Sequence, residues 1–456
     1  MSTTESNSTR FASTFLLPLE ASLLTYLRVR LMKGLIGDFT WTLLGNGVFS
    51  ACQWGTIIVL AKLVTAEAVG QYSLSQAILA PVLMFVAFQL RSVVASDLNK
   101  EFTNREYFGF RLFTLAVGLL VAVAIAQSTT HVAGQTLMVG IVGLIQTAEL
   151  ASDTLYGFHQ SRGDLIRPAT SMILKGPLGL VALTFGIYFV HSVLVGLTAL
   201  FATRAAVLVL YDLNGVLAPP DRRHSLWRDY FHWRRHFHLF KVVFFVGLMT
   251  MLSALIGMIP RYFVQGYLGS RELGVFAAIS SLISIGLMPV GALGMAAFVR
   301  LARGFTEGPS ADFVKILSTL LGLSLAIGIV GVTLAYLAGS QILTLLFRRE
   351  YAAYTDLLKL TMINGAITFL TASLGASVTA ARIFKPQVMI LAIVGGTEIL
   401  ACFLLVPRIG LTGAAVACLI GTLVQLIGTA MILCVRWTQR PPASRVHGMA
   451  TLESNS

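Results

Sequence analysis

The feature that most constrains this chain is a series of long apolar runs. Each is long enough, at 1.5 Å per residue, to cross the roughly 30 Å of hydrocarbon in a bilayer. About twelve such runs can be counted, over 41–63, 71–90, 109–127, 132–157, 165–190, 192–213, 242–264, 273–298, 313–338, 358–381, 386–406 and 409–436. They are continuously apolar and lack the alternation of outer-membrane strands, which favours helices over a barrel. The sequence therefore predicts an all-α membrane protein.

The composition excludes a water-soluble fold. Of 456 residues, only 12% are charged and 56% are hydrophobic, whereas soluble domains carry roughly 25% charged and roughly 45–50% apolar residues. A net charge of +13 could suggest nucleic acid. The cations are spread over loops, however, so we expect no nucleic-acid partner. The four cysteines lie in apolar stretches without CxxC or Cys/His spacing, which argues against disulfides and structural metals.

The distribution of Lys and Arg over the loops predicts the orientation. With both termini in the cytoplasm, about 24 of the 33 cations fall in inner segments and about 7 in outer loops. Lys175 and Arg204 remain, inside helices. The predicted segments are a cytoplasmic N-terminal segment with an interfacial helix (1–40), a first lobe of six helices (41–213), a basic interlobe loop (214–241), a second lobe of six helices (242–436) and a cytoplasmic tail (437–456).

The two halves of the chain resemble each other. The matched positions are Gly70 with Gly274, Tyr72 with Phe276, Pro81 with Pro289, Arg91 with Arg300, and Gly196 with Gly413. Because the first helix of each half starts on the cytoplasmic side, the repeats are parallel and related by an axis along the membrane normal. We therefore expect two pseudo-symmetric six-helix lobes that face each other around a central cavity.

Several segments resemble a known family. The stretch 41–97, with GNG, AVGQYSLSQAIL and LRSVVASD, resembles the start of the bacterial oligosaccharide and polysaccharide repeat-unit flippases. These flippases belong to the superfamily of multidrug, oligosaccharidyl-lipid and polysaccharide exporters. The segments 146–176, 259–276 and 409–417 are similar to the family's fourth-to-fifth helix region, to the opening of its second lobe and to its last helix.

The resemblance implies translocation of undecaprenyl-pyrophosphate-linked oligosaccharide across the bacterial inner membrane by alternating access, for exopolysaccharide, capsule or O-antigen biosynthesis. It implies a lipid-linked oligosaccharide and membrane lipids as partners, and it leaves a polysaccharide polymerase and export machinery open as further partners. No cofactor is implied, and coupling to a proton or sodium gradient is left open. Which glycan is moved does not follow from the sequence.

Two other functions stay open. A multidrug exporter of the same superfamily needs an acidic cavity for cationic drugs, but the first helix carries no carboxylate. A membrane-embedded glycan polymerase or ligase usually places catalytic Arg, His or Asp on a long outer loop, and the outer loops here are short and nearly uncharged. The chain lacks hydrolase, nucleotide-binding and zinc-protease motifs. We therefore expect no enzymatic activity.

Ionisable residues inside helices are the default functional candidates, because an Arg or Lys at the bilayer centre costs roughly 2.5–3.5 kcal/mol on insertion scales. Glu149, Lys175 and Arg204 lie at equal depth, roughly 14 Å from the predicted cytoplasmic end. Asp153 lies one helical turn from Glu149. These residues could form a polar cluster in the first lobe. Alternatively, Glu149 and Lys175 could neutralise each other, and Arg204 could pair with Asp153 or with a backbone carbonyl.

A pyrophosphate group needs cations. Arg204 is the leading candidate, because a guanidinium keeps its charge and binds oxyanions through two parallel hydrogen bonds. Lys175 is a second candidate. Arg261 could meet the headgroup from the second lobe or could snorkel to the interface. Arg91 and Arg300 could guide the pyrophosphate into the cavity, although anchoring at the cytoplasmic surface also explains them.

Glu398 lies alone in the middle of the eleventh helix. An isolated carboxylate at that depth is a candidate for ion coupling, with a neutral, hydrogen-bonded side chain as the alternative. Pro81 and Pro289 are expected to bend their helices and so to shape the two lobes.

The loop 214–241 interleaves six cations with aromatic residues, which is typical of an interfacial helix on anionic lipid. His232, His236 and His238 could suggest a metal, but Arg234 and Arg235 lie between them and disfavour a dication. We expect no metal site.

Overall fold

The structure is a computed structural model that describes residues 40–97, 101–129, 133–214, 233–306, 310–381, 383 and 385–438. Within these ranges the chain is helical. The helices are α1 (Thr40–Leu63), α2 (Ala66–Ala87), α3 (Leu90–Ser96), α4 (Asn104–Thr129), α5 (Ala133–Ser161), α6 (Ile166–Val190), α7 (Val193–Val207, continued by a π-helical turn at Leu208–Asp212), α8 (Trp233–Leu268), α9 (Ser270–Ser281), α10 (Ile283–Thr306), α11 (Ser310–Leu346), a short 3₁₀ helix (Arg349–Tyr354), α12 (Thr355–Ala380) and α13 (Lys385–Thr438).

These helices make twelve membrane crossings. In the described chain, ten helical stretches are long and apolar enough to span a bilayer. The helix α5 has the length, but its glutamines and acidic residues lower its hydropathy. The helix α13 contains two crossings, because the backbone leaves helical geometry at Ile409 and Gly410. The all-α membrane fold predicted from the sequence is therefore confirmed.

The antiparallel crossings define two faces of the molecule. The terminal face carries Thr40 and Thr438, and the opposite face carries Leu63 and Val190. Large apolar side chains such as Leu120, Phe189 and Leu337 are exposed on the helices between these faces. This exposure is expected of a surface that contacts lipid rather than water.

The second crossing is broken between α2 and α3. Phe88 and Gln89 adopt left-handed backbone angles, with φ of 49° and 47°. The break leaves the Val86 carbonyl without a helical donor. It accepts hydrogen bonds from the Arg111 guanidinium at 3.2 Å and the Thr114 hydroxyl at 3.3 Å, both on α4. The break is thus stabilised by side chains of the neighbouring crossing, as a polar backbone group in a membrane requires.

Glycines matched by the repeat lie at close contacts between helices. A Cβ on Gly70 of α2 would overlap the backbone of Ser270, and a Cβ on Gly274 of α9 would overlap the carbonyl of Ala66. The two glycines therefore face each other where the lobes meet, near the opposite face. Gly196 and Gly413 each pack the last helix of a lobe against the carbonyl of the helix before it. In both cases only glycine allows the approach.

The lobes also touch through α2 and α8 along the height of the membrane. The Tyr262 hydroxyl donates to the Ala77 carbonyl at 2.5 Å, and the Thr250 hydroxyl donates to the Met84 carbonyl at 2.9 Å. On the terminal face, Arg235 of α8 pairs with Glu106 of α4 at 2.9 Å. One flank of the lobe interface is thereby closed from face to face.

The second lobe is held mainly by apolar contacts and hydroxyl groups. Ser324 of α11 and Ser373 of α12 share a hydrogen bond of 2.7 Å, and both side chains are buried. Leu301, Phe313 and Leu374 belong to an apolar cluster in the same part of the molecule. Such hydroxyl pairs between membrane helices average about 0.6 kcal/mol each.

The structure locates other features predicted from the sequence. Pro81 and Pro289 lie inside α2 and α10, and both helices continue past them; their predicted role in shaping the lobes stays a prediction. The helix α8 begins at Trp233, inside the segment 214–241 that the sequence assigns to a loop. The predicted interfacial helix within 1–40, most of that loop and the tail from 439 lie outside the described residues.

Candidate functional site

Three adjoining cavities lie between the helices that face the centre of the molecule. One of about 350 Å³ lies between α1 and the α9–α10 segment. A second of about 160 Å³ lies where α1 and α2 meet α8 and α9, and a third of about 270 Å³ extends into the first lobe between α1, α2, α5 and α7. Neighbouring cavities share the lining residues Gln53, Ile57, Tyr72 and Gln76. We call the three together the central cavity.

The helix α5 organises the charges of the first lobe. Four of its side chains accept from, or pair with, cations of four different helices. Arg204 of α7 faces Glu149, and Lys175 of α6 donates to Ser152. Arg91 of α3 pairs with Asp153, and Arg111 of α4 donates to Thr154. A polar strip along one helix thus ties together four of its neighbours. This arrangement explains why α5 carries polar and acidic residues and is not among the ten most apolar stretches.

Arg204 and Glu149 line the central cavity together. The guanidinium Nη1 of Arg204 lies 3.7 Å from Oε2 of Glu149 and stacks at 5.5 Å over the ring of Phe49. Arg204 is only 8% exposed. Within the described chain, neither Nε of Arg204 nor Oε2 of Glu149 has a hydrogen-bond partner. The pair therefore keeps hydrogen-bonding capacity that a polar ligand in the cavity could use.

Tyr72 lines both the cavity that contains Arg261 and the cavity that contains Arg204. Its hydroxyl accepts a hydrogen bond of 2.8 Å from Gln76, which in turn is bonded to Gln146. Both Arg204 and Arg261 lie within electrostatic range of this hydroxyl. Arg261 comes from α8 of the second lobe, and its titratable neighbours in the described chain are Tyr72, Tyr262 and Cys418. The cavity thus combines one cation from each lobe with a chain of amide and hydroxyl groups.

Lys175 lies outside the central cavity. Its ammonium group is fully buried and pairs with Asp212 at 2.6 Å, with further bonds to Ser152 and Tyr156. The pairing of Glu149 with Lys175 that the sequence suggested is therefore wrong. Lys175 pairs instead with Asp212, at the end of the π-helical turn that follows α7. A cation saturated in this way holds α5, α6 and α7 together.

Arg91 and Asp153 pair with each other near the terminal face. The Arg91 guanidinium lies 3.1 Å from Asp153 and donates to Gln160 at 3.3 Å. The suggested pairing of Arg204 with Asp153 is therefore wrong as well. Arg300, which the repeat matches to Arg91, is exposed on α10. The two arginines thus occupy matched positions in the chain but have different surroundings.

Glu398 is buried in the second lobe, away from the residues that line the central cavity. Its carboxylate lies near the Cys418 thiol, and Gly421 packs against it. Arg261 lies within electrostatic range of the same thiol.

Sequence reasoning missed three functional or structural residues. Asp212 was not singled out because it ends an apolar run, and Arg111 was counted as a loop cation although it is fully buried. Tyr72 was noted only as a repeat match. A signal for Arg111 was available, because an arginine two residues inside a predicted span requires a partner.

Comparisons with known proteins agree with this architecture. No protein-family model matches the chain. The capsular polysaccharide biosynthesis protein CapF of Staphylococcus aureus is 24% identical over 401 residues, which cover 86% of this chain and 98% of CapF. The lipid II flippase MurJ in an inward-closed conformation superimposes with a TM-score of 0.63 and 15% identity over 89% of each chain. An outward-facing MATE-family multidrug resistance transporter of the MOP superfamily superimposes with a TM-score of 0.59 and 14% identity, over 90% of this chain and 97% of that one.

These likenesses confirm the resemblance found in the sequence. The superimposed structure covers about nine-tenths of the chain in both cases. The chain therefore has the fold of the MOP superfamily of membrane transporters.

Proposed function

We propose that this protein is a flippase that translocates undecaprenyl-pyrophosphate-linked oligosaccharide repeat units from the cytoplasmic to the outer leaflet of the bacterial inner membrane. The similarity to a capsular polysaccharide biosynthesis protein over almost its full length supports this role. So does the shared fold with a lipid II flippase. We expect no enzymatic activity and no cofactor, because transport of an intact lipid-linked glycan breaks no covalent bond.

The composition of the central cavity is the observation that carries the proposal. A lipid-linked sugar presents a pyrophosphate, which calls for cations, and hydroxyl groups, which call for amides and hydroxyls. Arg204 and Arg261 supply the cations. The amides and hydroxyls that a sugar requires come from other residues of the cavity lining, namely Ser50, Gln53, Ser73, Gln76, Gln146, Ser281 and Ser284.

The contacts between the lobes support an entry route. We assign the terminal face to the cytoplasm, because most of the chain's Lys and Arg fall in segments on that side. Near the opposite face, α2 and α9 are in contact at Gly70 and Gly274. The headgroup would then enter from the cytoplasmic side between α1 and α10, where the largest of the three cavities lies, while the lipid tail stays in the bilayer. Arg91 and Arg300 would meet it at that face.

Ion coupling is part of the proposal. Glu149 lines the cavity and Glu398 is a buried carboxylate of the second lobe, so these two carboxylates are the candidates for binding a proton or sodium ion. We also propose that a polysaccharide polymerase and export machinery receive the product. Neither partner is needed for translocation itself.

A multidrug exporter is the second candidate, favoured by the likeness to MATE-family transporters and by Glu149 in the cavity wall. A cationic drug needs an excess of negative charge around it. The described residues that line the central cavity include one carboxylate and two guanidinium groups. This balance favours an anionic headgroup over a cationic drug.

Leaflet exchange in proteoliposomes tests the proposal directly. Fluorescently labelled undecaprenyl-pyrophosphate oligosaccharide would be placed in one leaflet and its protein-dependent appearance in the other followed by quenching. We expect exchange with a cognate donor. Absence of exchange, together with a changed drug-susceptibility panel in a deletion strain, would point to the exporter instead. Product analysis with the same donor would reveal a polymerase or ligase.

A further inference from the structure

The ion pair between Arg204 and Glu149 differs from the other contacts of α5. Arg111 meets Thr154 at 2.6 Å and Arg91 meets Asp153 at 3.1 Å, both within hydrogen-bonding distance. Arg204 and Glu149 are 3.7 Å apart, outside that range. Of these contacts on α5, this is also the one that lines the central cavity. The loosest contact of α5 therefore lies where a ligand would bind.

The atoms that remain unbonded in this pair are buried. In the described chain, Nε of Arg204 and Oε2 of Glu149 are inaccessible to solvent and lack hydrogen-bond partners. A buried donor without a partner costs about 1–3 kcal/mol, and more if it is charged. A phosphate oxygen at the same guanidinium could form two parallel, charge-assisted hydrogen bonds. A phosphate would therefore be a better partner for Arg204 than Glu149 is in this arrangement.

Glu149 nevertheless has a role when no ligand is present. An unpaired guanidinium at this depth would be costly, and the carboxylate offsets part of that cost by Coulomb attraction. The guanidinium also stacks over the ring of Phe49, 5.5 Å from its centre. Arg204 is thus kept charged and positioned without its hydrogen bonds being used.

We infer that Glu149 competes with the pyrophosphate for Arg204. Glu149 occupies the anion-binding side of the guanidinium until the pyrophosphate displaces it. Glu149 then returns and expels the headgroup on the side of the outer leaflet. This inference rests on the proposed function, since it assigns a second residue to the same headgroup site. Glu149 lowers the affinity of the cavity for its substrate and thereby permits release. A transporter that bound pyrophosphate too tightly would not turn over.

Binding of a polyprenyl pyrophosphate to the full-length protein tests the inference. The probes are geranylgeranyl pyrophosphate and, as an uncharged control, geranylgeraniol, titrated against purified protein in nanodiscs at fixed salt. We expect Glu149→Gln to bind the pyrophosphate about 3- to 10-fold more tightly than the wild type, since contacting charges commonly couple by 0.5–3 kcal/mol. The same variant should flip labelled substrate more slowly, and binding of the alcohol should not change.

Three further variants make the result decisive. Arg204→Ala should weaken pyrophosphate binding, and Glu149→Gln combined with Arg204→Ala should bind like Arg204→Ala alone, because Glu149 acts only through the arginine. Asp356→Asn is the matched control: it removes a carboxylate paired with Lys359 on the surface, where its side chain is 87% exposed. Its affinity should equal that of the wild type.

The possible failures are distinguishable. If Arg204→Ala weakens binding but Glu149→Gln leaves it equal or weakens it too, Glu149 merely positions the arginine and the inference is overturned, while the proposed function stands. If Arg204→Ala has no effect on pyrophosphate binding, the headgroup site itself is misplaced. A gain of affinity in Glu149→Gln could not arise from misfolding.

Discussion

The first lobe buries several charged side chains and bonds three of them to α5, whereas the second lobe joins its helices through hydroxyl groups and apolar contacts. Among the described residues, five Asp, Glu, Lys or Arg side chains are buried in the first lobe (Glu106, Arg111, Lys175, Arg204 and Asp212) and one, Glu398, in the second. Two lobes that match by internal repeat thus have different interiors. The difference indicates that the repeat preserves backbone packing, at its glycines, while the polar interior is free to specialise.

The largest effect should come from breaking the buried pair of Lys175 and Asp212. Lys175→Met would leave the Asp212 carboxylate buried without its cation, which typically costs 3–5 kcal/mol. We expect strongly reduced membrane abundance and a lower melting temperature of the purified protein. Lys359→Met, which removes the cation of an exposed pair on α12 of the second lobe, should leave both quantities close to those of the wild type, because solvent screens an exposed pair.

The double variant Lys175→Met with Asp212→Leu sharpens this test. Replacing both partners by apolar residues of similar volume is often neutral. Recovery of abundance would show that the pair is structural. A double variant that is folded but inactive in leaflet exchange would instead assign Lys175 to substrate binding.

Removing Arg204, the cation that the first lobe contributes to the central cavity, should affect transport more than stability. We expect Arg204→Ala to lower the rate of leaflet exchange by about tenfold or more, which corresponds to a loss of at least about 1.4 kcal/mol. Arg204→Lys should lose less, because a cation would remain. Rates are to be compared at matched membrane levels. Arg271→Ala, which removes an exposed cation that lies 3.9 Å from Glu350, serves as the control.

Wild-type exchange rates in both Arg204 variants would contradict the assignment. The cavity would then have to bind its substrate through Arg261 or through the amide groups alone.

Glu398, the buried carboxylate among the described residues of the second lobe, should behave differently from those of the first. Glu398→Gln keeps the volume of the side chain and removes only its ionisable oxygen, so we expect stability within about 1 kcal/mol of the wild type. If Glu398 couples transport to an ion gradient, the variant should lose the acceleration that an imposed proton or sodium gradient causes. Exchange measured with and without the gradient checks this. A large fall in melting temperature would instead assign Glu398 to packing.

The smallest effect should come from the hydroxyl pair of the second lobe. Ser324→Ala removes the partner of Ser373, and hydroxyl bonds between membrane helices average about 0.6 kcal/mol. We expect a small decrease in melting temperature and normal exchange. An effect as large as that of Lys175→Met would show that the second lobe depends on buried polar groups as much as the first.

Apolar run length and loop charge were sufficient to predict the twelve crossings, because both properties are local. Pairing was not predictable in the same way. Glu149 and Lys175 lie at the same depth, yet depth does not specify rotation about a helix axis, and in the structure Lys175 turns toward Asp212. The left-handed residues Phe88 and Gln89 carry no sequence signal, because neither is a glycine and their strain is offset by α4.

That Arg204, Arg261 and Tyr72 line adjoining cavities could not be predicted from the sequence either. These residues come from α7, α8 and α2, and their proximity depends on how the two lobes dock. The repeat predicted that the lobes face each other. Only the packed structure shows which side chains line the space between them.

The polar strip of α5 has a consequence for how the protein enters the membrane during synthesis. When α5 leaves the ribosome, Arg91 and Arg111 have already been made, so Asp153 and Thr154 can find their partners at once. Glu149 must wait for Arg204, two crossings later, and Ser152 must wait for Lys175. A nascent chain that ends after α5 therefore carries an unmatched carboxylate in lipid. The helix α5, which is the fourth crossing, is expected to stay at the insertion machinery until α6 and α7 arrive, and then to leave it together with them.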